Sequence, residues 1–141
     1  MDRILVTGGN GLVGSQFGGE KYHKIGSKEY DLINQKQAYD IIKRDWDGVI
    51  HAAAKVGGLM GNMNHKGEFF YKNIMMNTNV IESCRQANVK NLVVFLSTCV
   101  FPDGVEYPLV EKSIHLGPPH FSNDAYAYSK RMAEVQIRAY R

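Results

Sequence analysis

Hydrophobic residues fall in short unbroken runs, separated by stretches in which they return every three or four positions. Arg3 to Thr7, Tyr22 to Ile25, Gly48 to Ala53 and Leu92 to Leu96 read as strands. Gln35 to Lys43, with Ala38, Ile41 and Ile42 apolar, has helical spacing. From Glu68 to Ala87 the stripe Phe70, Ile74, Asn77, Ile81 and Cys84 predicts a long core-facing helix, and Ala125 to Arg141 predicts another. Gly8 to Gly14 reads as a tight turn opening a first helix that Gly18 and Gly19 soon break. Pro102 to Asp124 holds all four prolines and reads as an irregular loop.

Strand and helix alternate throughout, which predicts an α/β fold: a Rossmann-like, doubly wound parallel sheet with helices on both faces. Ligands of such sheets bind in a crevice outside the carboxyl ends of the strands. The expected organisation is one domain over 1–141, the N-terminal portion of a nucleotide-binding domain. It is incomplete on its C-terminal side, because the chain stops inside its last helix without a strand to follow.

Composition narrows the function classes. At 141 residues, one core can bury roughly two thirds of the unfolded surface. No apolar run approaches the roughly 18 residues of a membrane helix, so no membrane partner is expected. The first residues, Met1 to Thr7, lack the basic start and long apolar stretch of a secretion signal, which predicts a cytoplasmic protein. Two cysteines, Cys84 and Cys99, are too few for a disulfide framework and are read as reduced thiols. A net charge of +3, with scattered lysines and arginines, argues against a nucleic-acid partner.

The run Gly8-Gly9-Asn10-Gly11-Leu12-Val13-Gly14 follows a strand directly. Glycines there let the chain turn sharply and let its backbone approach a pyrophosphate, with a helix N-terminus behind it. About 20 residues on, where an NAD site places an acid on the ribose, this chain has Lys28 beside Ser27. Both can bind a 2′-phosphate, so the pattern favours NADP(H). Asp31 and Leu32 lie where an adenine would rest, and Ala52, Ala53 and Ala54 end a strand with small side chains.

Tyr126 and Lys130, four residues apart, share a helix face. Bringing a tyrosine from about 10 to about 7 takes about 4 kcal/mol. An ammonium at about 4 Å in a moderate dielectric supplies roughly that. Ser97 ends the preceding strand, a suitable place for a hydroxyl that polarises a carbonyl. No metal-ligand spacing is found among His23, His65, His115 and His120, and no metal site is expected. His51 is read as a sheet residue; Asn73 and Asn77 face the core side of the long helix, where a helix-bending or capping amide and a cofactor-side role are equally good readings, and neither is taken as catalytic.

Three segments, Thr7 to Gly14, Phe95 to Pro102 and Tyr126-Ala127-Tyr128-Ser129-Lys130, resemble the extended short-chain dehydrogenases in order and spacing. His51 to Gly58, Ser97-Thr98-Cys99 and Gly117-Pro118-Pro119-His120 are similar to one branch of them. Members of that branch epimerise and reduce GDP-4-keto-6-deoxy-D-mannose to GDP-L-fucose. The resemblance implies an NADPH-dependent enzyme, homodimeric when intact, acting on a GDP-linked keto-deoxy sugar. It implies that Tyr126 protonates the 4-oxo group, Ser97 polarises it, and Lys130 holds the nicotinamide ribose and lowers the tyrosine pKa. Cys99 would be the base for epimerisation at C3 and C5. Phe95, Leu96, Ser97, Tyr126 and Lys130 join the expected surroundings of the cofactor. The segment from Gly14 to Ile25 is shorter than the helix and strand the family has there. The family's histidine acid, its last strands and its substrate domain would follow Arg141. Other readings are a sugar-nucleotide 4-epimerase or 4,6-dehydratase, and a truncated, silent dinucleotide-binding module.

Overall fold

A computed structural model describes residues 3–141. Met1 and Asp2, the first two positions of the opening run, lie outside the described residues. Four strands, β1 (Ile4–Thr7), β2 (Tyr22–Ile25), β3 (Gly48–His51) and β4 (Leu92–Val94), form a parallel sheet in the order β2-β1-β3-β4. The helices are α1 (Gln35–Ile42), α2 (Gly58–Asn64), α3 (Lys66–Gln86) and α4 (Asp124–Ala139). The expected parallel α/β class is the observed one.

The chain divides into two compact units. One comprises the described residues of 3–54 with 75–95 and Tyr140, and the other 55–74, 96–139 and Arg141.

The first unit holds the sheet. Leu5, Ile25 and Val49 point to one face, where they pack with Ala38, Ile41 and Ile42 of α1 and Val80 and Cys84 of α3. Asn34 caps α1 by accepting from the Gln37 amide, and the Trp46 indole donates to the Ile41 carbonyl at 2.8 Å. Burial pushes the Cys84 thiol up to about 12, so it behaves as a small apolar side chain. On the other face the in-register row is Val6, Lys24, Ile50 and Val93. Val6 is buried at the centre, but toward the β4 edge Val93 and Phe95 are 53% and 38% exposed. Neither α1 nor the part of α3 in this unit lies on that face, since both belong to the cluster on the first.

The connection from β1 to β2 adds no helix to that face either. The first helix predicted after Gly14 is absent; a single 3₁₀ turn, Gly14–Gln16, stands in its place. The Phe17 amide closes that turn on the Gly14 carbonyl, Gly19 adopts a left-handed φ of +98°, and Lys21 already pairs with Ile4. Few residues remain between the turn and β2, and two are glycines, each costing about 1 kcal/mol in a helix. Nucleating a helix there is unfavourable.

The stripe on α3 also differs from the prediction. Its buried positions are Phe69, Asn73, Asn77, Asn79, Val80, Ile81, Ser83 and Cys84, whereas Phe70 is 38% exposed. The register starts one residue earlier because Phe69 fills the space beside Gly57, where a Cβ would come within 2.8 Å of the ring.

In the second unit, the 3₁₀ turn Thr98–Val100 is tied to α4 by Arg131, whose Nε donates to the Val100 carbonyl at 2.7 Å. Phe69, Val100, Ile114, Tyr126, Ala127 and Ala133 are among its buried apolar residues. The proline-rich stretch has no long element but is pinned by a Pro102–Pro119 bridge, with the Asp103 amide donating to Pro118. At the start of α4 the Lys66 ammonium meets Asp124 at 2.9 Å.

Candidate functional site

The glycine turn leaves β1 through Gly8, which has φ +70°. A Cβ on Gly8 would sit 2.7 Å from the Cα and N of Ala53, so the two backbones touch. Gly14 is equally constrained, since a Cβ there would lie 2.2 Å from the Gly8 carbonyl. The Gly9 amide donates to Ile25 and the Gly11 amide to Gly8. Leu12 and Val13 are 88% and 40% exposed at the tip. Asn10 lies over Gly26, where a Cβ would come 2.4 Å from its amide nitrogen. Ser27 and Lys28 are exposed beside it, and Glu29 turns back to accept from the Gly26 amide at 2.7 Å. That bond directs the acid toward its own backbone, next to an exposed lysine.

Asp31 closes a local turn by accepting from Ile33. Leu32 is only 5% exposed and its side chain belongs to the core, so the structure gives it to packing. Ala52, Ala53 and Ala54 are half-buried, as is Leu96, and Phe95 is exposed. With one 3₁₀ turn after Gly14, the anion-attracting helix terminus expected there does not exist.

The predicted chemical residues gather in the second unit. Ser97 begins the 3₁₀ turn, and its Oγ and the Cys99 Sγ are hydrogen-bonded at 2.9 Å. Cys99 is half-buried and is a free thiol. Tyr126 and Lys130 lie one turn apart on α4 and are 8% and 2% exposed. Burial pushes Lys130 down to about 8. The Tyr126 phenol is held above the ordinary tyrosine value, first by burial and then by the charge of Cys99. This departs from the lowered tyrosine argued from spacing. Removing water from the phenol weighs most here.

Sequence reasoning missed three positioning groups. Asn73, fully buried, accepts from the Lys55 amide and donates to the Lys55 and Phe69 carbonyls, fixing the start of the loop before α2. Arg131 holds the turn that carries Cys99. His51 and Thr7 form a buried pair at the strand ends, 2.7 Å apart. A polar residue at a core position was the available signal in each case. Among the described residues no group of side chains could hold a metal ion, and no helix is long and apolar enough to cross a membrane.

A parallel sheet with a glycine turn after its first strand, together with a serine and a Tyr-x-x-x-Lys helix, defines a Rossmann-like α/β protein of the short-chain type. The chain belongs to the NAD dependent epimerase/dehydratase family, whose model matches residues 4–141. It is 46% identical to a GDP-L-fucose synthase of Dictyostelium discoideum over 97% of its own length and 46% of that protein's. To a probable GDP-L-fucose synthase of Drosophila melanogaster it is 41% identical, covering 99% of this chain and 47% of the relative. A GDP-L-fucose synthetase structure from Naegleria fowleri bound to NADP superposes with a TM-score of 0.85 at 43% identity, over 99% of this chain and 44% of that one. The chain thus spans about half the length of the curated relatives it matches. The Dictyostelium alignment runs over 149 positions, more than the 141 residues of this chain, so the relative carries residues within the matched span that have no counterpart here.

Proposed function

We propose that this chain is the dinucleotide-binding portion of an NADPH-dependent enzyme that epimerises GDP-4-keto-6-deoxy-D-mannose at C3 and C5 and reduces it at C4 to GDP-L-fucose. The observation that carries the reading is the Ser97–Cys99 hydrogen bond in the unit that also holds Tyr126 and Lys130. A thiol beside a carbonyl-polarising hydroxyl suits proton removal next to a ketone. The names of the two relatives described above support the same substrate.

The glycine turn fits a dinucleotide, because Gly8 and Gly14 have no room for side chains and the tip bearing Leu12 and Val13 is open. Gly8, Gly9, Asn10, Gly11, Leu12, Val13 and Gly14 would hold its phosphates, and Ser27 and Lys28 the 2′-phosphate. Asp31, Ala52, Ala53 and Ala54 would border the adenosine, and Phe95, Leu96 and Lys130 the nicotinamide end. When bound, NADPH supplies the hydride that reaches C4 of the sugar.

This chain's own groups handle the protons. Cys99, as thiolate, takes a proton from carbon beside the ketone, while Ser97 donates a hydrogen bond to the carbonyl oxygen and stabilises the enolate. Return of a proton to the opposite face, from the histidine acid that the resemblance places after Arg141, inverts the centre. Tyr126 gives its phenolic proton to the C4 oxygen during reduction, and Lys130 stabilises the resulting phenolate. We extend the reading to a homodimeric, cytoplasmic intact enzyme.

Incubation of the full-length protein with GDP-4-keto-6-deoxy-D-mannose and NADPH tests the proposal. GDP-L-fucose with stoichiometric NADPH oxidation is expected. Isomeric or dehydrated product without net oxidation would assign a 4-epimerase or dehydratase instead. A second reading, a silent nucleotide-binding module, draws on the missing first helix. For the 141 residues alone, NADPH binding without turnover is expected.

A further inference from the structure

Thr7 and His51 are register partners at the ends of β1 and β3, and each immediately precedes one of the two segments assigned to the dinucleotide. Both are fully buried. The Thr7 Oγ lies 2.7 Å from His51 Nδ1, and His51 Nε2 lies 3.0 Å from Asn77 Oδ1 on α3. The Ala53 amide donates to the same Thr7 Oγ at 3.4 Å, and the Ala52 amide to the Thr7 carbonyl at 3.3 Å.

Donor and acceptor rules give this chain one direction. Asn77 Oδ1 only accepts, so Nε2 carries the ring proton and Nδ1 offers a lone pair. The Thr7 hydroxyl donates to Nδ1, which leaves its oxygen lone pairs facing the Ala53 amide. The imidazole thus decides which way the hydroxyl points, and the hydroxyl decides where Ala53 sits. Ala53 is also the residue whose backbone touches Gly8. A buried network in which every member is satisfied fixes one arrangement, whereas removing one member leaves the others unpaired in an apolar setting.

We propose that His51 is a positioning residue for the dinucleotide, acting through the Thr7 hydroxyl to fix the Ala53 amide and with it the close approach of the glycine turn to the Ala52–Ala54 segment. The role rests on the dinucleotide reading given above. With no helix terminus after Gly14, the turn's shape depends more heavily on such side-chain ties.

The experiment combines three readouts on the 141-residue chain. Nitrogen-15 NMR of the wild-type ring is expected to show the Nε2-protonated tautomer; the Nδ1-protonated form would reverse the network and overturn the proposal. Amide exchange at Ala53 and NADPH affinity are then compared in Thr7→Val, Thr7→Ser and the core control Ile41→Val. Thr7→Val is expected to speed exchange at Ala53 and weaken NADPH by about tenfold each, the loss of one buried hydrogen bond. Thr7→Ser, which keeps the hydroxyl, should stay within about twofold, and Ile41→Val should lower stability without moving the affinity. Equal affinity in Thr7→Val and Thr7→Ser would show a merely structural tie. A wild-type chain that ignores NADPH would sink the dinucleotide reading itself and this role with it; binding that survives Thr7→Val would sink the role alone.

Discussion

The Cys99 sulfur lies 2.9 Å from the Ser97 hydroxyl oxygen, two residues away on one 3₁₀ turn. So short a link lets one residue be changed while the other keeps its place on the turn. In the full-length enzyme, Cys99→Ser is expected to slow exchange of the C3 and C5 hydrogens with deuterated solvent by at least about 100-fold, the usual weight of a positioned base. Reduction of a substrate supplied already epimerised should persist. Loss of both activities together would remove Cys99 from the role of base.

Lys130 is buried and held at about 8. Its unfolded value is higher, so between those two values the unfolded chain binds more protons and stability rises with pH. Below about 8 the folded state carries the whole cost of a buried ammonium, roughly 3 kcal/mol at most for such a shift. Lys130→Met is therefore expected to raise Tm at pH 7, by about 1–3 kcal/mol of stability after lost contacts are counted. The advantage should shrink as pH rises from 8 to 10.5. Thermal melts of both proteins across pH 6–10 check the sign; an advantage that grows with pH would mean that the ammonium is stabilised where it lies.

Lys28 is exposed at the end of the glycine-turn unit's second crossing, with Glu29 tied to the Gly26 amide. Lys28→Asp is expected to weaken NADPH about tenfold or more by replacing an attraction with a repulsion, while leaving NADH little changed. Parallel fluorescence titrations decide it, and equal losses for the two cofactors would dissociate Lys28 from the 2′-phosphate.

Asn73 satisfies three backbone groups from a fully buried site. Asn73→Leu should cost about 2–4 kcal/mol, since buried backbone partners are left unpaired, and should loosen the amide of Lys55 in hydrogen exchange. An unchanged denaturation midpoint would contradict this account.

A graft tests the missing first helix. Replacing residues 15–19 by a helix of about a dozen residues, apolar on one side, should raise Tm and reduce binding of a hydrophobic dye. No change in either would mean that the face of β1 and β2 carrying Val6 and Lys24 offers nothing for a covering helix to bury.

Strands β1, β3 and β4 were legible because they are short apolar runs bounded by polar or glycine residues, and β2, although half polar, is observed at the predicted residues. Local spacing also brought Ser97, Tyr126 and Lys130 to notice, since motif and strand end are both sequence features, whereas Cys99 came from the family resemblance alone. What failed was what depends on neighbours. Leu32 was assigned to a ligand but fills the core, a distinction set by α1 and α3 rather than by its own segment. Phe70 and Phe69 differ by one position on α3, and only the space beside Gly57 selects between them. The helix after Gly14 was predicted from the glycine motif, yet too few residues follow to build one. The Thr7–His51–Asn77 chain was invisible because its members lie 44 and 26 residues apart.

Strand β4 places two consecutive residues in different environments: Leu92 packs against the core, while Val93 is 53% exposed on the other side of the sheet. In a sheet sandwiched by helices both would be equally intolerant of polar replacement. Here a saturation library of this strand should split by parity, with Leu92 restricted to apolar residues and Val93 accepting threonine, lysine or glutamate. The boundary between permitted and forbidden changes along β4 would then trace, residue by residue, where the interior formed by these 141 residues ends.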